Sequence, residues 1–381
     1  MSEIPRLEDL EGRLDGLSGR RILVRTDFNV PLDDSSGATV ITDDFRIRSA
    51  LPTIEWLTER GAQVVAASHL GRPKGEPNPK FSMDPVRARL AELAPGVELL
   101  ENLRFHSGEK ANDEDFARRL AEPFSQYVND AFGTAHRSHA SVVGAPELFT
   151  DGRKAAGLLM EREVAALSRM VENPEQPYVA VVGGAKVSTK TAPLEALVER
   201  VATLLIGGGM ANTFLLAQGH DVGKSLVEPE MLDTALEVLK RAGERGVTVA
   251  LPTDVVVTDS LENPQVVEIV AAHAVPSDLM IVDLGPESRQ RYANSILGAK
   301  TVFWNGPMGV FEVEPFDAGT LAVARAMADS DAFTVVGGGE SVMAIKRAGV
   351  ADAIDHVSTG GGASLQFLTG EPLPALVALE D

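Results

Sequence analysis

One repeated pattern constrains this chain more than any other. Short runs of apolar, largely β-branched residues stop abruptly at glycine or at polar side chains. In the first half these runs are Arg20–Phe28, Gln63–Leu70, Val97–Glu101 and Gln126–Phe132. In the second half they are Tyr178–Ala185, Thr203–Gly209, Thr248–Val257, Met280–Gly285, Thr301–Gly306, Phe333–Gly339 and His356–Gly362. The runs are nearly continuous rather than alternating, as in parallel strands buried on both faces. Helical spacing fills the intervals, for example at Met231, Ala235, Val238 and Leu239. Phe45–Gly61 also reads as a helix, with Pro52 predicting a kink or a late start. Strand and helix in alternation predict an α/β fold with parallel sheets and ligands at the carboxyl ends of strands.

The 381 residues suffice for two or three domains. A boundary is expected near Val171–Pro177, where two prolines follow the helix-like Glu161–Met170. The two sides differ chemically. Strand ends before the boundary carry Asp, Asn, His and Arg, whereas those after it carry glycine at Gly183-Gly184, Gly207–Gly209, Gly337–Gly339 and Gly360–Gly362. One half is built to grip an anion with side chains and the other to cradle phosphates with backbone.

Glycine after a parallel strand lets a ligand approach the main chain, and a helix that follows offers free N–H groups and a favourable dipole to phosphate. Helix starts do follow, at Glu340-Ser341 and Ala363-Ser364. Glycine also serves ordinary tight turns, but its recurrence at strand ends favours a nucleotide site. No Gly-x-Gly-x-x-Gly occurs, and Gly219–Ser225 has three residues instead of four between its glycines. That segment also follows a helical stretch, so it reads as a loop. Lys186 and Lys190 stand four apart after a glycine-terminated strand, on one face of an incipient helix.

The formal net charge is −20, which disfavours nucleic acid and anionic membrane as partners. An anionic ligand therefore needs a local basic cluster. Asp27, Phe28 and Asn29 end the first strand, and His69, Leu70, Gly71 and Arg72 end the second. Arg104 follows the third, His136, Arg137 and His139 follow the fourth, and Arg46 opens the helix after the first. A parallel sheet gathers these along one edge, where four arginines suit a ligand with a phosphate and a carboxylate. Asp27 and Asn29 would accept from its hydroxyl. His136 and His139 stand between ligand contact and loop architecture. Arg118, Arg119, His106, His220 and His273 read as ordinary surface or structural residues, and no His-x-x-x-His metal motif is present.

The chain has no cysteine, which excludes disulfides, thiol nucleophiles and Cys-based metal sites and favours a reducing compartment. Residues 1–9 lack the basic and apolar regions of a signal peptide, and no run approaches a membrane span. A cytoplasmic location is expected.

Longer motifs make the chain recognisable. RTDFNVP at Arg25–Pro31, SHLGRP at Ser68–Pro73, NPKFS at Asn78–Ser82, LENLRF at Leu100–Phe105 and YVNDAFGTAHRSHA at Tyr127–Ala140 lie in the first half. GGAKVSTK at Gly183–Lys190, GGGM at Gly207–Met210, DLGPES at Asp283–Ser288, FWNGPMGVFE at Phe303–Glu312 and STGGGASL at Ser358–Leu365 lie in the second. In this ordered set the chain closely resembles the phosphoglycerate kinases from end to end.

The resemblance implies two Rossmann-like α/β domains with parallel sheets joined by a hinge helix. Residues 1–171 with the tail 366–381 would bind 3-phosphoglycerate or 1,3-bisphosphoglycerate, and residues 172–365 Mg²⁺-bound ADP or ATP. Asp27, Phe28, Asn29, Arg46, His69, Leu70, Gly71, Arg72, Arg104 and Arg137 would form the glycerate site. Lys186, Lys190, Gly209, Ile281, Asn305, Glu312, Gly338, Gly339, Glu340 and Ser341 would form the nucleotide site, with Glu312 at the ribose and Glu340 at the metal. Arg46, Lys186, Lys190, Gly361 and Gly362 would act on the transferring phosphoryl group. A monomer is implied.

Glu340, Thr189, Gln366 and Ile281 depart from residues common in the family, respectively Asp, Asp, Glu and Gly. None removes an arginine or lysine assigned to the chemistry. Two other readings are weaker. A noncatalytic nucleotide-binding scaffold would have been suggested by loss of Arg46 or Lys186, and an NAD-dependent dehydrogenase needs the glycine fingerprint that is absent.

Overall fold

A computed structural model describes residues 4–12, 16–35 and 39–380. The chain divides into two compact units, Met1–Ala165 with Pro372–Asp381, and Ala166–Glu371. The division falls within the helix Leu158–Glu172.

The first unit is built on a five-stranded sheet. Its order across the sheet is Glu98–Leu99, Gln63–Ala67, Arg21–Thr26, Gln126–Asp130 and Lys154–Ala156, and every pairing is parallel. The chain starts in the middle and builds outward both ways. The order therefore reverses between Arg21–Thr26 and Gln126–Asp130, which opens a crevice at their carboxyl ends. One apolar layer under the sheet joins Ile22 and Val24 to Ile47, Ile54 and Leu57 of the helix Phe45–Glu59. That helix starts at Phe45 and runs on through Pro52, so the start is not delayed to the proline. The C-terminal segment belongs to this unit, where the Ala375 N–H donates to Ala135 O at 3.1 Å and Lys154 Nζ to Glu380 O at 2.7 Å.

The second unit has a six-stranded sheet, in the order Thr248–Ala250, Thr203–Ile206, Tyr178–Val182, Thr301–Asn305, Phe333–Gly337 and His356–Val357. All its pairings are parallel. Here the order reverses between Tyr178–Val182 and Thr301–Asn305. Two expectations needed correction. Thr248–Val257 is two strands, Thr248–Ala250 in the main sheet and Asp254–Thr258 outside it, with Pro252 in the break. Asp254–Thr258 instead pairs antiparallel with Val267–Ala271 and Met280–Leu284 in a separate three-stranded sheet. Gly219–Ser225 lies in a loop after the helix Gly208–Ala217, as its sequence suggested.

Candidate functional site

In the first unit the strand Arg21–Thr26 delivers Asp27–Asn29 to the reversal point. Asp27 is buried and ion-paired to Arg46 from the next helix. Burial pushes the Asp27 carboxyl up, but Arg46, His69 and Arg25 beside it and the Asn29 N–H together hold it below the ordinary aspartate value. Asn29 Oδ1 accepts from the Gly71 N–H at 2.8 Å, and Arg104 donates through Nη1 to Gly71 O at 2.7 Å. Gly71 is itself required there, because its φ is +61° and a Cβ would overlap the Phe81 ring.

Beside this network lies a cleft of about 570 Å³ lined by Arg72, Lys74, Arg104, His106, Lys110, Arg137 and His139, with Pro73, Gly75 and Ser107. Burial, with Arg137 and Arg25 close by, lowers Arg104 to about 10, so it stays cationic at neutral pH. Its buried Nε lacks a hydrogen-bond partner. An anion would satisfy both the charge and that donor. Burial and the same arginines push His139 down to about 3, so it is neutral. His69 is also held well below its usual range, first by burial and then by Arg25, Arg104 and Arg137 against the pull of Asp27.

Of the expected residues only Arg72, Arg104 and Arg137 line this cleft, while Asp27, Asn29, Arg46, His69 and Gly71 belong to the network beside it. Phe28 and Leu70 are core residues at 0% and 1% exposure. Leu70 has both backbone groups bonded to Asn102. Conversely, His106 lines the cleft although it read as an ordinary residue, and Lys74 and Lys110 were missed altogether.

In the second unit the reversal point is paved with backbone. A cleft of about 240 Å³ is lined by Gly184, Gly208, Gly209, Asn212, Leu226, Pro252, Ile281, Gly309, Glu312 and Glu340, among others. Gly208 has φ +65°, and a Cβ there would lie 2.7 Å from Gly184 N and 2.8 Å from Gly184 O. The helix Gly208–Ala217 begins at this wall. The helix Gly339–Arg347 starts beside it and presents exposed Glu340 in its first turn. The walls between Leu226 and Ile281 are apolar, suiting a flat heterocycle, while the glycines and the helix start suit phosphates.

Lys190 is half-buried and donates to Gly183 O at 2.6 Å and Asn305 O at 3.0 Å. Burial lowers it to about 8 although Glu340 pulls the other way. Lys186 is exposed. Asn305 lies beneath Gly338, and its buried Nδ2 has no partner. Ser341 is buried and accepts from the Gly306 N–H at 2.7 Å. Gly361, at φ +46°, opens the helix Gly362–Thr369. Lys190, Asn305 and Ser341 thus pack against the glycine turns at Gly183, Gly338 and Gly306 and are not themselves among the residues lining the cleft.

Asp283 lies inside DLGPES, but the motif alone did not reveal its place. It lines the nucleotide-type cleft with one oxygen on the Gly319 N–H at 2.9 Å and the other unpartnered. Burial, with Asp317 nearby, raises it to about 7.

The described residues contain no group of three or more His, Cys, Asp or Glu side chains able to hold a metal. Mg²⁺ typically takes one or two carboxylates, waters and phosphate oxygens. Glu340, exposed in the cleft, is a carboxylate of that kind.

An arginine-rich anion cleft on one parallel α/β unit and a glycine-walled cleft on another are the equipment of a phosphotransferase. The family profile described as phosphoglycerate kinase matches residues 13–98 and 94–371. A phosphoglycerate kinase of Moorella thermoacetica is 49% identical over 98% of this chain and 98% of its own. One from Chloroflexus aggregans is 48% identical over 96% of this chain and 97% of its own. The solved structure of phosphoglycerate kinase from Coxiella burnetii superposes with a TM-score of 0.87 at 42% identity, covering 99% of both chains. That of the Pyrococcus horikoshii enzyme gives 0.84 at 33% identity, covering 99% of this chain and 98% of that one. The chain belongs to the phosphoglycerate kinase family, and is a glycolytic phosphotransferase acting on a carboxyl group.

Proposed function

We propose that the first unit binds 3-phosphoglycerate or 1,3-bisphosphoglycerate and the second unit Mg²⁺-bound ADP or ATP. The observation that carries this reading is the Asp27–Arg46 pair at the reversal point beside Arg72, Arg104 and Arg137. A buried carboxylate there is suited to a ligand hydroxyl, and the surrounding guanidinium groups to its phosphate and carboxylate.

In the forward direction the bond between the acyl oxygen and phosphorus of 1,3-bisphosphoglycerate breaks, and a new one forms to a terminal oxygen of ADP. The products are 3-phosphoglycerate and ATP. Neither nucleophile needs a general base, because the ADP phosphate and, in reverse, the glycerate carboxylate are already ionised at neutral pH. The protein's work is positioning and charge neutralisation. Arg46 and Lys186 neutralise the transferring group, and Gly361 and Gly362 offer backbone N–H donors. Lys190, fixed by two carbonyls, holds positive charge at the phosphate end of the nucleotide. Gly209, Ile281, Asn305, Glu312 and Gly338–Ser341 shape the nucleotide site, with Glu312 at the ribose. Mg²⁺ with Glu340 beside it supplies further neutralisation on the phosphates when the nucleotide is bound.

The two ligands bind different units, so transfer requires the units to close and exclude water. The glycerate role falls to residues 1–171 with 366–381 and the nucleotide role to residues 172–365, bounds that differ by six residues at each junction from the compact units Met1–Ala165 with Pro372–Asp381 and Ala166–Glu371. The enzyme works as a cytoplasmic monomer with small-molecule partners only. No helix among the described residues is long and apolar enough to cross a membrane. ATP formation from 1,3-bisphosphoglycerate and ADP, dependent on Mg²⁺, tests the reading. Turnover that is insensitive to Arg46→Ala would contradict it.

A further inference from the structure

A buried polar chain runs from the helix Ser107–Ala111 to His69. Glu109 is fully buried on the short helix Ser107–Ala111. Its two carboxylate oxygens accept from Ser141, one from the backbone N–H at 3.0 Å and one from the hydroxyl at 2.6 Å. The Ser141 hydroxyl proton is thereby committed to Glu109. Its oxygen accepts from Arg25 Nε at 2.8 Å. Arg25 is 1% exposed, bonds its own strand at Thr26 O, and directs Nη2 at His69 Nδ1, 3.4 Å away. Ser141 is fixed from its other side as well, because Tyr127 donates its hydroxyl to Ser141 O at 2.8 Å.

Every direction in this chain is set by chemistry. A carboxylate only accepts and a guanidinium only donates. Between those two the Ser141 hydroxyl can do both, and Glu109 decides which way it points. The Arg25 donor at Nδ1 requires that nitrogen to carry a lone pair, so the proton of a neutral ring resides on Nε2. Asp27 Oδ1 lies 3.8 Å from the same Nδ1, too far to claim a proton there.

We infer that Glu109, acting through Ser141 and Arg25, is a positioning residue that fixes His69 as a neutral Nε2–H donor for the bound anion. The depressed titration of His69 accords with this. The anion's identity rests on the glycerate reading of this unit, whereas the tautomer does not. Glutamine at 109 cannot reproduce the arrangement, because its amide would set an NH₂ against one of the two Ser141 donors. Alanine at 141 removes the relay and leaves the buried charge in place.

The test is nitrogen NMR of histidine-labelled full-length protein, combined with steady-state kinetics. The wild type should show His69 with Nδ1 unprotonated and Nε2 protonated. Ser141→Ala and Glu109→Gln should each mix the tautomers and lower kcat/KM for 3-phosphoglycerate on the order of 10-fold, with the nucleotide KM unchanged. The double variant should be no worse than the worse single, since both break one path. A protonated Nδ1 in the wild type would overturn the inference. So would an unchanged tautomer in folded Ser141→Ala, or losses that multiply in the double variant. If Glu109→Gln does not fold, Ser141→Ala carries the test alone. Should Arg72→Met leave 3-phosphoglycerate affinity intact, the ligand assignment fails while the tautomer result stands.

Discussion

The two units share one topology of sheet and handle anions in opposite ways. At the reversal point of the first sheet, charge is delivered by side chains such as Arg46, Arg104 and Arg137, held in register by buried partners including Asp27 and Asn102. At the reversal point of the second, the wall is main chain at Gly184, Gly208 and Gly209. The difference follows from the proposed ligands. A small glycerate carries its identity in a few charged groups that only side chains can reach. A nucleotide has a long phosphate tail that can lie along backbone, and a base that needs an apolar slot. The chemistry should fail differently when each unit is damaged.

The largest effect is expected where charge meets the transferring group. Arg46→Ala and Lys186→Ala should each lower kcat by roughly 10²–10³-fold with smaller changes in KM. A raised KM with near-normal kcat in steady-state assays would show that the charge serves ground-state binding instead. Next comes the backbone wall. Gly208→Ala forces a side chain into a positive φ and against Gly184, so nucleotide affinity should fall at least about 10-fold. Calorimetric titration should find 3-phosphoglycerate binding in that variant within about twofold of wild type. Equal losses for both ligands would dissolve the distinction between the units.

The pH response sharpens the comparison at smaller amplitude. His69 and His139 are held neutral, so replacing either should leave the pH dependence of 3-phosphoglycerate affinity between about pH 6 and 8 unchanged. Lys190 titrates near 8, so turnover should decline as pH rises past that value and its charge is lost. The stability sign is opposite. The folded state gives up this proton near 8, whereas the unfolded chain keeps it to 10.5. The Lys190 contribution to stability therefore improves as pH climbs through that window. Lys190→Met should abolish both trends in paired rate and denaturation profiles. The smallest effect concerns Glu340→Gln, which should raise the Mg²⁺ concentration for half-maximal rate without altering 3-phosphoglycerate affinity. An identical Mg²⁺ dependence would leave Glu340 only its favourable place at a helix start.

The sheets were legible because parallel strands buried on both faces leave unmistakable apolar runs. The antiparallel sheet was not, since Val267–Ala271 is exposed or half-buried and Asp254–Thr258 joins Thr248–Ala250 across a short loop in one apolar stretch. Pro52 does not delay the helix start, because a helix packed on a sheet tolerates one missing N–H bond when its apolar face is buried. At the site, residues that end strands could be read from order alone. Lys74, His106 and Lys110 sit on loops and a short helix, where only the folded chain brings them to the arginines. Glu109 and Asp283 were illegible as site-shaping residues because their roles depend on burial, which sequence order does not reveal.

The division of labour between the units is tested most directly by crossed calorimetry on one variant, Arg72→Met. Titration with 3-phosphoglycerate should show affinity weakened by about 10-fold or more, as expected when a charged hydrogen-bonding partner is removed. Titration of the same sample with Mg²⁺-bound ADP should match the wild type. Unchanged 3-phosphoglycerate affinity, or an equal loss for both ligands, would contradict the assignment of side-chain recognition to the first unit and backbone recognition to the second.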